Sequence, residues 1–89
     1  MDNEIKILFK KMAGLINMPT ESEFDAETHN YKNEFLHMNF NSFYGGYRIE
    51  IVDKSTGERD FGTSQRKTKK EMIEFLQGFI TGITYKAGQ

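Results

Sequence analysis

Arg66, Lys67, Lys69 and Lys70 crowd the six residues "QRKTKK", where a helix should begin. Thr68 and Glu71 have the T-x-x-E spacing of a capping box, so Thr68 is the expected N-cap. The positive end of the helix macrodipole lies there and favours anions by roughly 0.3–1 kcal/mol, so cations are out of place. Unpaired N–H groups and a positive field suit an anion, and added lysine and arginine strengthen such a site. Phosphate is the natural guest, with Ser64 and Thr68 as further donors. One reading is therefore a phosphate-contacting surface for nucleic acid, with Arg48 or Arg59 as additional contacts. The blander reading is a solvated basic junction, or one paired with Glu21, Glu23, Asp25 and Glu27. Exposed charge runs are usually solvated, and each surface pair contributes under about 1 kcal/mol.

A second group is aromatic. Phe40, Phe43, Tyr44 and Tyr47 cluster around Gly45-Gly46 in "NFNSFYGGY". Burial in a core is the common fate of such side chains. The alternative is an exposed tip that fits a partner pocket or stacks on bases, with Phe43, Tyr44 and Tyr47 as the contacts. Other chemistry finds little support. Asp25, Glu27, His29 and His37 lack any recognised metal-ligand spacing, so no metal is expected. There is no nucleophile elbow, P-loop or H-E-x-x-H, and Glu50, Glu58 and Asp60 fall on strand positions expected to be exposed. No catalytic residue, no enzymatic activity and no cofactor are expected. Cysteine is absent, which removes disulfides, thiolate metal sites and thiol nucleophiles.

Periodicity supplies the elements that must position these groups. Ile5, Leu8, Phe9, Met12, Leu15 and Ile16 recur at helical spacing, with Asp2 as cap and Pro19 as the stop, so the helix should end near Asn17. Residues 20–34 are acidic and weakly periodic. They read as a long loop, with one helical turn suggested by Thr20 and Glu23, and with Phe24 and Tyr31 pinning it to the core. Residues 35–44 alternate, with Leu36, Met38 and Phe40 on one face and His37, Asn39 and Asn41 on the other. Residues 47–53 alternate again, with Tyr47, Ile49 and Ile51 inward and Arg48 and Glu50 outward. Gly57 suits the left-handed position of a bulged hairpin turn, and "RDFGT" gives a short third strand. Met72, Leu76, Phe79 and Ile83, flanked by Phe75, Ile73 and Ile80, make a second helical stripe, and Gly88 ends that region. Gly78 and Gly82 read as a close approach to the first helix or the sheet, or otherwise as a soluble homodimer face.

The order helix–three-stranded antiparallel meander–helix predicts an α+β two-layer sandwich. The 89 residues are enough for one domain, 1–89, with one modest core built largely from 8 Phe, 4 Tyr and the aliphatics. Net charge is −1, distributed as −3 over residues 1–34 (seven acids, four bases) and +2 over residues 35–89 (six acids, eight bases). That asymmetry supports a local patch and no more. No apolar run reaches the ~20 residues that span a bilayer. The acidic start "MDNEIK" has no signal-peptide pattern. A cytoplasmic protein without membrane contact is the expectation.

Two resemblances follow from these residues. The element order, with "FGTSQRKTKKEM" leading into the last helix, resembles the double-stranded-RNA-binding domain. That family places a lysine pair at the start of its last helix, against phosphates, and Lys69 and Lys70 match it. The family's third lysine falls at Ile73. Its small alanines are replaced by Met72, Phe75 and Leu76, and its turn histidine by "YGGY". "RKTKKEMIEFLQGFITGI", in turn, is similar to the carboxy-terminal segment of small phage and prophage accessory proteins. The single residues it highlights are Arg66, Lys70, Glu71, Phe75 and Gly78. That likeness implies provenance rather than mechanism.

The function expected from the sequence is a non-enzymatic binding module of a phage or mobile element that acts on a protein partner or on itself. Its surface would be the aromatic tip, or the sheet face carrying His37, Asn39, Arg48 and Glu50. The alternative is duplex nucleic-acid binding through Arg66, Lys67, Lys69 and Lys70.

Overall fold

A computed structural model describes residues 2–53, 57–62 and 65–87, with side chains as far as Tyr85. Ser64 and Gly88, the expected donor and terminator, lie outside the described residues.

Helix α1 spans Asn3–Leu15. Asp2 caps it, its Oδ1 accepting from the N–H groups of Glu4 and Ile5 at 3.0 and 3.2 Å. Its end is set before Pro19 is reached. Asn17 adopts φ 57°, the Met18 N–H donates to Ala13 O, and the Asn17 N–H donates to Gly14 O. This is a Schellman closure with asparagine in the left-handed position.

Residues 20–34 form no helical turn. They contain a small hairpin, β1 (Phe24–Asp25) with β2 (Asn30–Tyr31), in which Phe24 faces Tyr31. The expected long loop is corrected on this point. Strands of two residues leave no alternating pattern to read, and the pairing is held by local contacts. The rings of Phe24 and Tyr31 meet edge to face at 5.2 Å, and the Asn33 N–H donates to Ser22 Oγ at 2.8 Å.

The meander is as expected. Strands β3 (Phe35–Asn41), β4 (Gly46–Val52) and β5 (Glu58–Asp60) pair antiparallel in the order β3-β4-β5. Helix α2 spans Lys69–Ala87. Its capping box is complete, with the Thr68 N–H donating to Glu71 Oε1 at 2.9 Å and the Glu71 N–H to Thr68 Oγ1 at 3.2 Å.

The core shows that both helices lie on one sheet face. It joins Ile5, Phe9, Met12 and Ala13 of α1 to Leu36, Met38, Tyr47 and Ile49 of the sheet and Met72, Leu76 and Ile80 of α2. Ile80, rather than Phe79, continues the Met72–Leu76 row, while Phe79 packs half-buried beside it. Both helices start at the same end of the molecule, because Lys69 Nζ reaches Asp2 Oδ2 at 2.9 Å. The small hairpin leans on the opposite sheet face. Tyr31 meets Phe35 at 5.0 Å there, so Tyr31 is pinned to the sheet's second face and not to the core.

Candidate functional site

The basic residues at the start of α2 do not form one free patch. Arg66 turns back onto the β3–β4 hairpin, where its Nη1 donates to Gly46 O at 3.0 Å and Asn39 O at 3.5 Å. Lys67 joins the edge of β4 through its backbone, exchanging two 2.7 Å hydrogen bonds with Tyr47. Its ammonium lies 5.5 Å from the centre of the Phe75 ring, within reach of a cation–π attraction. Lys69 pairs with Asp2, the carboxylate that caps α1. The hydrogen bond to Lys69 holds Asp2 below its ordinary range, and the same bond raises Lys69. Lys70 is exposed, and among the described residues it has no ion-pair partner within 4 Å. The neutralising acid is therefore Asp2 of α1 and not the acidic segment, where Glu23 pairs with Lys32 at 2.7 Å. Arg48 and Arg59 are also engaged, Arg48 with Asp60 at 3.5 Å and Arg59 with Glu34 at 3.2 Å.

Gly46 makes this junction possible. Its φ is 114°, and a Cβ there would run into the carbonyl of Lys67. Only glycine combines a positive φ with that approach of backbone to backbone.

The hairpin tip lies at the same end of the molecule. Its turn is fixed locally, with the Phe43 N–H donating to Asn41 Oδ1 at 2.9 Å and Gly45 at φ 92°. Phe43 is 94% exposed and Tyr44 is 75% exposed. Phe40 is 57% exposed, although it lies on the core side of β3, and its ring meets that of Tyr47 at 4.7 Å. Tyr47 itself belongs to the core. Of the three expected partner contacts, Phe43 and Tyr44 are presented to solvent and Tyr47 is buried in the core.

The second sheet face departs from expectation at Glu50, which is only 3% exposed. Alternation places Glu50 beside His37 and Asp60 across the strands, but the neighbouring side chains close over it. Burial first, then the nearby Glu58 carboxyl, pushes Glu50 above the ordinary carboxylate range. Among the described residues its Oε2 has no hydrogen-bond partner, and Arg48 Nε stands 3.8 Å from Oε1. Beside this acid, under the β1–β2 hairpin, is a cavity of about 300 Å³ lined by Tyr31, Phe35, His37, Val52 and Glu58 among others. Among the described residues no group of three or more His, Asp or Glu could hold a metal ion. The carboxyl held above its ordinary range is thus almost sealed from solvent.

Gly78 and Gly82 do not mark a close approach. A Cβ at either would meet nothing within 4 Å, and with Phe79 and Ile83 they line an open, shallow apolar groove.

No family model, no curated protein and no solved structure matches the chain. A functional reading therefore rests on the residues of this chain. No helix among the described residues is long and apolar enough to cross a membrane. The exposure of Phe43 and Tyr44 was open in the sequence, and the signal that could have decided it was Asn41. An asparagine two residues before an aromatic closes a tight local turn and leaves the tip side chains nothing to pack on.

Proposed function

We propose that this chain is a non-enzymatic protein-binding module that docks through the tip of its β3–β4 hairpin. One observation carries the reading. Phe43 and Tyr44 are held almost fully exposed on a hairpin that is clamped from behind by Arg66 and Lys67. Large aromatics on an ordered support are the commonest anchors of protein interfaces, because they bury much area while few rotatable bonds are fixed. A tip that served only the fold would be expected to turn its rings inward, as Tyr47 does. The likeness of residues 66–83 to phage accessory proteins is compatible with a small adaptor of this kind.

The nucleic-acid reading is weakened by the turning back of Arg66 onto the hairpin and by the pairing of Lys69 with Asp2, which leaves Lys70 as the unpaired exposed cation of the four among the described residues, with Lys67 half-exposed and Lys69 in an exposed ion pair. Fluorescence anisotropy of labelled duplex RNA and duplex DNA, at low and at physiological salt, tests the choice. The protein-binding reading expects no salt-sensitive binding. Binding that weakens steeply with salt, with a slope of about −0.9 per phosphate contact on duplex DNA, and that is lost in Lys67→Glu/Lys70→Glu, would replace it.

A further inference from the structure

The two edges of the sheet are finished differently. Strand β5 is three residues long, Glu58–Asp60, all charged and exposed, which is how natural sheets discourage further pairing. Strand β3 is seven residues long and pairs in unbroken register with β4, from Phe35↔Val52 to Asn41↔Gly46. On its outer side the Leu36 N–H donates to Pro19 O at 2.9 Å. Backbone groups alternate in direction along a strand, so the N–H and C=O groups of Met38 and Phe40 also point outward. No described residue bonds to them across that edge. Nothing blunts this stretch, which has no charge, proline or bulge between Met38 and Phe40.

Beside the open edge runs a groove of about 300 Å³ between α1 and the chain at Thr20 and Glu21. Lys6 and Lys10, one helical turn apart and both exposed, line it with Phe9 and Met38. Alternate side chains of a strand laid on this edge would point toward that groove. Negative charge there would meet the two lysines, with Glu21, which also lines the groove, opposing it.

We propose that the outer edge of β3 receives an extended acidic segment of a partner protein, which adds to the sheet as a fourth strand along Met38–Asn41. This goes beyond the docking of the hairpin tip, because it uses a different surface of the sheet. Main-chain hydrogen bonds would supply the affinity, and the lysines the preference for alternating acidic side chains. A second copy fits less well. Antiparallel pairing of β3 with itself would bring Lys6 and Lys10 of both copies to one seam, where like charges repel.

The test is an NMR titration of the whole chain with the peptide Ac-Thr-Glu-Val-Glu-Val-Glu-Thr-NH2, read by amide hydrogen exchange at Met38 and Phe40. The expected result is protection of those two amides by about tenfold or more at saturation. The same peptide with lysine in place of glutamate should bind at least ~10-fold more weakly, and Lys6→Glu/Lys10→Glu should invert that preference. Both lysines are exposed, so this variant should fold. Phe43→Ala/Tyr44→Ser separates the two proposals, because the peptide should still protect Met38 and Phe40 in it. Loss of protection in that variant would assign binding to the tip and overturn the edge. Absence of protection in the parent, an unchanged charge preference, or protection that grows with protein concentration alone would each overturn the proposal as well.

Discussion

The start of α2 and the tip of the β3–β4 hairpin lie at one end of the molecule, and both look out of place in the sequence. They turn out to be opposites. The helix start carries the wrong charge for its position, but its cations are mostly absorbed into the structure. Arg66 ties down two hairpin carbonyls, Lys67 extends the sheet, and Lys69 holds the cap of the other helix. The tip carries ordinary core residues, and two of them, Phe43 and Tyr44, have no core to enter. A cation at a helix start can be explained within the fold when a carbonyl or carboxylate lies within reach. Two exposed aromatic rings on an ordered turn have no such internal account, and that asymmetry makes the tip the better candidate for a partner.

Variants can break this comparison. Gly46→Ala should do most damage, because it strikes where the two regions meet. A left-handed conformation forced on alanine costs roughly 1–3 kcal/mol, and the clash with the Lys67 carbonyl adds to it. Urea denaturation should show a markedly lower midpoint, and an unchanged midpoint would mean that the junction is loose. Arg66→Ala comes next, with an expected loss of about 1.5–3 kcal/mol for charge-assisted hydrogen bonds to partly buried carbonyls. Arg66→Lys sharpens the point. If Arg66 serves the fold, lysine should restore little, since it lacks the forked reach. If Arg66 serves as a point charge for phosphate, lysine should preserve binding while stability hardly matters.

Glu50 lies outside both regions and calibrates them through pH. Its carboxyl titrates above the ordinary range when folded, so the folded state holds that proton more tightly than the unfolded chain. The stability this provides is fully present below the ordinary carboxyl pKa and is lost as pH rises through the raised value. Glu50→Gln should therefore gain on the parent in melting temperature from about pH 4 to about pH 8. A constant difference across that range would mean that Glu50 is not the strained group. Asp2 runs the other way. Its contribution is present above its ordinary pKa and lost as pH falls through the lowered one, so Asp2→Asn should flatten the acid limb of the stability curve. The smallest effect is expected at the tip, where Phe43→Ala/Tyr44→Ser should change stability by no more than about 0.5 kcal/mol.

Much of the architecture was legible because its signals are local and periodic. Met72 and Leu76 announce α2, Thr68 and Glu71 announce its cap, and the alternation around Leu36 and Ile49 announces the central strands. The β1–β2 hairpin was hidden because Phe24 and Tyr31 recognise each other across a turn, without any repeating pattern. Glu50 was misplaced for a related reason. Period two gives the face of a strand, but whether that face is covered depends on which side chains fold over it. The fate of the cations was equally out of reach, since Asp2 and Lys69 are partners only after both helices have packed. Gly78 and Gly82 suggested a close approach that is not made, since a Cβ at either would meet nothing within 4 Å.

The most direct test of the central claim places a photo-crosslinking benzoylphenylalanine at position 43 in one variant and at position 70 in another, in cells that express the chain. Adducts are then resolved into protein and nucleic acid. The account predicts a discrete protein adduct from position 43 that disappears when Tyr44→Ser is added, and no adduct from position 70. Nucleic-acid adducts from position 70, with none from position 43, would contradict it.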